Sequence, residues 1–144
     1  MPVKPWGKGW VARRELLRDS CLYDCLMVGG GDLAILFAAF GMFTEAADLL
    51  FLPETHRRHY IQWAERFFAR VEARVGSLSG RVFHFWHGQL EDRRYGLRHQ
   101  EFSAYDFSPC HDVVLGRDRC WKWSPGKPEM VKHVREYFEL RREP

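Results

Sequence analysis

The apolar positions Tyr60, Ile61, Ala64, Phe67, Phe68, Val71 and Val75 fall three or four residues apart, with arginine and glutamate between them. That spacing predicts the longest helix of the chain over residues 56–75, stopped by Gly76. Leu33, Leu36, Phe37 and Phe40 repeat the period over a shorter stretch and predict a core helix ending near Gly41. Met130, Val131, Val134, Tyr137 and Phe138 predict the inner side of a final helix that opens after Pro128. Residues 91–105 also read as helix. So does the segment opening at 13–17, which follows a short extended stretch at 9–12 and leads into a loop around 22–24. The pattern changes at 81–86, where β-branched and aromatic residues bounded by Gly80 and Gly88 predict a strand. Residues 107–123 read as irregular. There is no internal repeat or low-complexity tract, and the sum is an α/β chain (α+β in isolation) of several helices with a few short strands.

Composition adds limits. With 144 residues, 46% of them apolar, the chain can bury a real core, so residues 1–144 are expected to form a single domain. The 22 Lys and Arg against 19 Asp and Glu give +3, and their mixing along the chain argues against a concentrated polyanion-binding face. The longest apolar run, residues 33–43, falls short of the ~18–20 residues of a membrane span, so none is expected. The first residues lack a secretory pattern, which predicts a cytoplasmic setting. Cys21, Cys25, Cys110 and Cys120 are then expected to be reduced core thiols. A zinc site from Cys110, His111 and Cys120 is the alternative, weakened by the absence of paired C-x-x-C spacing.

Three groups of residues invite chemistry. Gly29, Gly30 and Gly31 can take backbone angles closed to other residues, and Asp32 follows them at a predicted helix start. Asp32 suits two roles, a helix N-cap or a carboxylate aimed at a substrate hydroxyl. His87 stands at the predicted strand end beside Gly88, with room for a metal or phosphate, whereas His84 is mid-strand and on the opposite face. Arg94 and Arg98, one helical turn apart, repel unless Glu91, Glu101 or a bound anion offsets them. Arg98 shares a face with Tyr95 and Phe102, and a guanidinium held there suits a diphosphate. The 22 aromatic residues, Trp10 among them, offer ring faces on which sugars pack, although most belong to the core.

The order of segments GKGWVARRELL, LYDCLMVGGGD, FAAFG, GRVFHFWHG and DRRYGLR resembles the second half of bacterial family-two-like glycosyltransferases of the GT-A fold. The resemblance covers most of residues 6–105. It implies transfer of a sugar from a nucleotide-sugar donor to a carbohydrate or other hydroxyl acceptor, with Asp32 as catalytic base. It further implies Gly30, Gly31 and Trp10 as acceptor-binding residues, and His87 as a ligand of a divalent cation (Mn or Mg) beside the diphosphate. Arg94 and Arg98 would then neutralise the leaving group. Two departures stand against the pattern. Only one carboxylate precedes the acceptor helix, and no Asp-x-Asp motif of a donor-binding half occurs anywhere in the sequence. The chain is therefore expected to be a fragment, a split gene product or a remnant, inactive alone. Self-association or pairing with a donor-half chain would cover the apolar surface left bare. A noncatalytic carbohydrate- or nucleic-acid-binding module is the alternative from a different class.

Overall fold

The computed structural model describes residues 10–81, 83, 89 and 91–141. Among them it contains six α-helices, one 3-10 turn and a two-stranded antiparallel sheet, a mixed helix-and-sheet architecture.

The first four helices form one layer of the core: α1 (Arg14–Ser20), α2 (Gly31–Ala39), α3 (Phe43–Leu49) and α4 (Glu54–Val71). α4 turns His56, Tyr60, Trp63, Ala64, Phe67 and Val71 inward at helical spacing. Opposite them lie Ala34, Ala38, Ala46 and Ala47, whose small, fully buried side chains let the helix backbones approach closely. The Tyr60 hydroxyl donates to the Ala34 carbonyl at 2.9 Å, satisfying a polar group at the centre of this layer. Such a bond contributes about 1 kcal/mol net. The α2–α3 turn needs Gly41, whose φ is +74° and whose added Cβ would lie 3.3 Å from the Phe68 ring. At the far end of α4, Arg70 and Arg18 share Asp19, and the Trp63 indole donates to the Ser20 carbonyl, which fastens α1.

A second cluster joins α5 (Arg98–Ser103), β1 (Val113–Leu115), β2 (Trp121–Trp123) and α6 (Pro128–Leu140). Its buried members are Val28, Phe102, Phe107, Val113, Met130, Val134 and Tyr137. Val113 pairs with Trp123 and Leu115 with Trp121 across the hairpin. The two clusters meet through Met27, which packs on both, and through the Phe107 ring, 5.1 Å from that of His56. Asp112 fixes the preceding loop, accepting from the Ser108 amide and from Lys127 Nζ, both at 2.8 Å.

Several expectations need correction. The longest helix runs over Glu54–Val71 and ends well before Gly76, because Glu72 and Ala73 adopt left-handed backbone conformations. In α2 the deep face is Ala34, Phe37 and Ala38, whereas Phe40 is 56% exposed and Leu33 and Leu36 are half-buried. A helix apolar all round hides its orientation from a periodicity argument. α3 was not foreseen, since its short TEAAD stretch shows no repeated stripe. The helix expected over 91–105 is broken into a 3-10 turn, Glu91–Arg93, and α5, with Arg94 at positive φ and turns up to Leu97. The segment 107–123, expected to be irregular, carries the hairpin, whose turn closes through Gly116 N–H to Cys120 O and the Asp118–Lys122 ion pair. Residues 10–13 form no regular element. Of the cysteines only Cys25 is a core thiol; Cys21, Cys110 and Cys120 are exposed. The strand expected over 81–86 lies largely outside the described residues. Among the described residues no helix is long and apolar enough to cross a membrane.

Candidate functional site

The glycine segment is a turn followed by a helix start. Gly29 and Gly30 take φ of +90° and +96°, conformations that glycine adopts at little cost, and Gly31 is the first helical residue of α2. Asp32 is therefore not the N-cap. Gly30 holds that position, no side chain caps the helix, and the exposed Asp32 carboxylate sits in the first turn, where the helix dipole favours its charge.

Against this turn lies the start of α5. A Cβ on Gly29 would come within 3.2 Å of Arg98 Nη2, and one on Gly30 within 3.1 Å of the His99 ring and 2.7 Å of Leu50. The turn is thus bare of side chains where two other elements crowd it. Gly30→Ala is expected to cost about 1–3 kcal/mol, from left-handed strain and displacement of Leu50. Gly31→Ala, with open space and no positive φ, should be neutral or stabilising. Urea unfolding of both variants checks the contrast, and equal destabilisation would reject it.

Arg98 is buried, 9% exposed. Its Nη1 donates to the Tyr137 hydroxyl at 3.0 Å, its Nε to His99 Nε2 at 3.3 Å, and its guanidinium lies 4.7 Å from the centre of the Tyr95 ring. By accepting that bond, His99 Nε2 leaves the ring proton on Nδ1 in the neutral tautomer. Burial and then the Arg98 charge push the His99 pKa down to about 4, with Asp32 opposing them. Behind the turn is a cavity of about 10 Å³, lined by Gly29, Leu50, His56, His99 and Phe102 among others, with room for about one water. His56 is 2% exposed, and its Nε2 has no hydrogen-bond partner among the described residues. Burial, then His59 and His99, lowers its pKa to about 3.

The structure brings Gly30, Gly31, Asp32 and Arg98 into one neighbourhood and leaves other expected site residues apart. Arg94 pairs with Glu101 and so has its own counterion. Trp10 is exposed ahead of α1, and among the described residues no hydrogen bond or ring contact ties it to the turn. His87 and His84 lie outside the described residues. Among the described residues no three His, Cys, Asp or Glu side chains cluster as a metal site, the Cys110, His111 and Cys120 set included. His99 and Tyr137 were missed as site residues. Adjacency to Arg98 was the one signal for His99, and Tyr137 is legible only as an inner residue of α6.

A larger, open concavity of about 450 Å³ lies between β2 and α6, lined by Trp123, Lys127, Val131, Lys132 and Arg135 among others. It holds no carboxylate and lacks the convergence of groups seen at the glycine turn. Comparisons with family models, curated proteins and solved structures gave no match.

Proposed function

We propose that this chain is the acceptor-side portion of a GT-A type glycosyltransferase, moving a sugar from a nucleotide-sugar donor to an acceptor hydroxyl, with Asp32 as general base. The observation that carries the reading is the junction of an exposed carboxylate with a side-chain-free glycine turn. A sugar ring approaching Gly30 and Gly31 would bring a hydroxyl to Asp32, and the general base would take its proton as the oxygen attacks the anomeric carbon. One direct displacement of this kind inverts that centre. The resemblance assigns a divalent cation, Mn or Mg, to His87. The described residues alone do not hold one, and no step here runs through it. With no Asp-x-Asp in the sequence, the donor-binding half has to come from another polypeptide segment or a partner chain, in a cytoplasmic setting.

Calorimetric titration of UDP in the presence of Mn tests the donor side. With the donor-binding half supplied, binding is expected, and His87→Ala should weaken it at least tenfold. No binding by the wild type would remove donor-site function from this chain.

A second reading, a noncatalytic module for carbohydrate or nucleic acid, draws on the concavity beside α6, where Trp123 stands near Lys127, Lys132 and Arg135. Quenching of tryptophan fluorescence by an anionic oligosaccharide, lost in Trp123→Ala while UDP leaves the signal unchanged, would favour it.

A further inference from the structure

Among the described residues Arg98 is the one buried arginine, and no carboxylate there lies within ion-pair distance of it. Some more exposed arginines, Arg18, Arg57, Arg58, Arg70, Arg74 and Arg94, do have one. A buried cation needs its counterion more than a surface one does. The partners Arg98 does have, the Tyr137 phenol, neutral His99 and the Tyr95 ring, include no anion. Nη2, the guanidinium nitrogen nearest Gly29, has no hydrogen bond among the described residues. Beside it, Gly29 and Gly30 lead at positive φ into the nine-residue α2, whose first N–H groups no side chain caps. A cationic fork, uncapped amides and a turn without side chains are the components of an oxyanion site.

We infer that Arg98 and the glycine turn form an oxyanion subsite on the acceptor side of Asp32, selecting an acceptor that carries a phosphate group near its reactive hydroxyl. This rests on the reading of Asp32 as the acceptor base, and it moves Arg98 from the leaving group to the acceptor. Arg94, neutralised by Glu101, takes no part. Phosphate is favoured over a carboxylate because two donor sets, the guanidinium and the helix amides, offer more N–H groups than two carboxylate oxygens use well.

The test is calorimetric titration of the full chain with inorganic phosphate, with acetate as the carboxylate arm. Saturable phosphate binding is expected, at least tenfold tighter than acetate. Arg98→Lys, which keeps the charge and loses the fork, should weaken it at least fivefold, whereas Arg94→Gln should change it less than twofold. Asp32 is exposed, so Asp32→Asn tests the site without touching the core; removing a like charge should tighten phosphate severalfold. No phosphate binding, an equal loss in the Arg94 variant, or indifference to Asp32→Asn would overturn the subsite. The two proposals fail separately: phosphate binding without UDP binding keeps the subsite and removes the donor-side function, and UDP binding without phosphate binding does the reverse.

Discussion

Lowering the pH from 7 to 4 is expected to strip on the order of 3 kcal/mol from the folding free energy through His56 alone. In the folded chain the imidazole of His56 is shut in by Tyr23 and Phe107 and holds its proton only near pH 3, whereas the unfolded chain takes one up near 6.5. Between those values the unfolded state binds more protons, so stability rises with pH there. The contribution is whole above about 6.5 and falls away as pH drops toward 3. His99, lowered to about 4 by burial and by Arg98, adds to the loss in the same direction, with a smaller share because its ring is only half-buried. Urea unfolding midpoints from pH 7 to pH 4 read this slope directly. Because His56 Nε2 has no partner to lose, His56→Leu should leave stability at pH 7 within about 1.5 kcal/mol and flatten the acid slope. Parallel slopes for wild type and variant would remove His56 as the cause.

When this chain is joined to a donor-binding half that restores sugar transfer, Asp32→Asn is expected to lower turnover by about 10²–10⁴-fold. The substitution is nearly isosteric, and the carboxylate neither caps α2 nor is buried, so the fold has little to lose. Only the interaction with the helix dipole changes, about 0.3–1 kcal/mol. A helix cap and a catalytic base therefore give different signatures. Loss of a cap would appear in thermal unfolding with turnover intact, whereas loss of a base would appear in kcat with the melting curve nearly unmoved. Donor KM should stay within a few-fold, since the side chain is assigned to the acceptor. Retained turnover in the asparagine variant would rule out the base.

How much of this was legible in the sequence depends on whether local pattern or distant contact decides each feature. The helix around Tyr60, Ala64 and Phe67 and the one around Met130, Val134 and Tyr137 have polar residues between their apolar ones, and both were foreseen with their inner faces nearly right. α2 has no polar face to orient it, so its buried side could be read only from what α3 and α4 place against it. The hairpin was missed because its two three-residue strands are too short for an alternating pattern to register, and its turn is closed by side chains such as Asp118 rather than by a recognisable dipeptide. At the site, the left-handed turn at Gly29 and Gly30 was expected from glycine alone. The partners it meets, Arg98 and His99, lie almost seventy positions further on, a juxtaposition that only tertiary packing supplies. Glu101 does offset Arg94, as the charge pattern allowed, but Arg94 sits at positive φ outside the helix that carries Arg98, a local departure that the helical spacing does not show.

The division of the interior into two apolar clusters gives the glycine turn a mechanical role as well. Cys25 and Ala34 belong to the first cluster and Val28 to the second, so the chain crosses from one to the other within the few residues that carry the turn. The two halves should then open as separate units in native-state hydrogen exchange, with the turn as their hinge. An anion clasped between the turn and Arg98 would fasten α2 of one unit to α5 of the other. Protection in both halves should then rise together, and two exchange classes should merge into one.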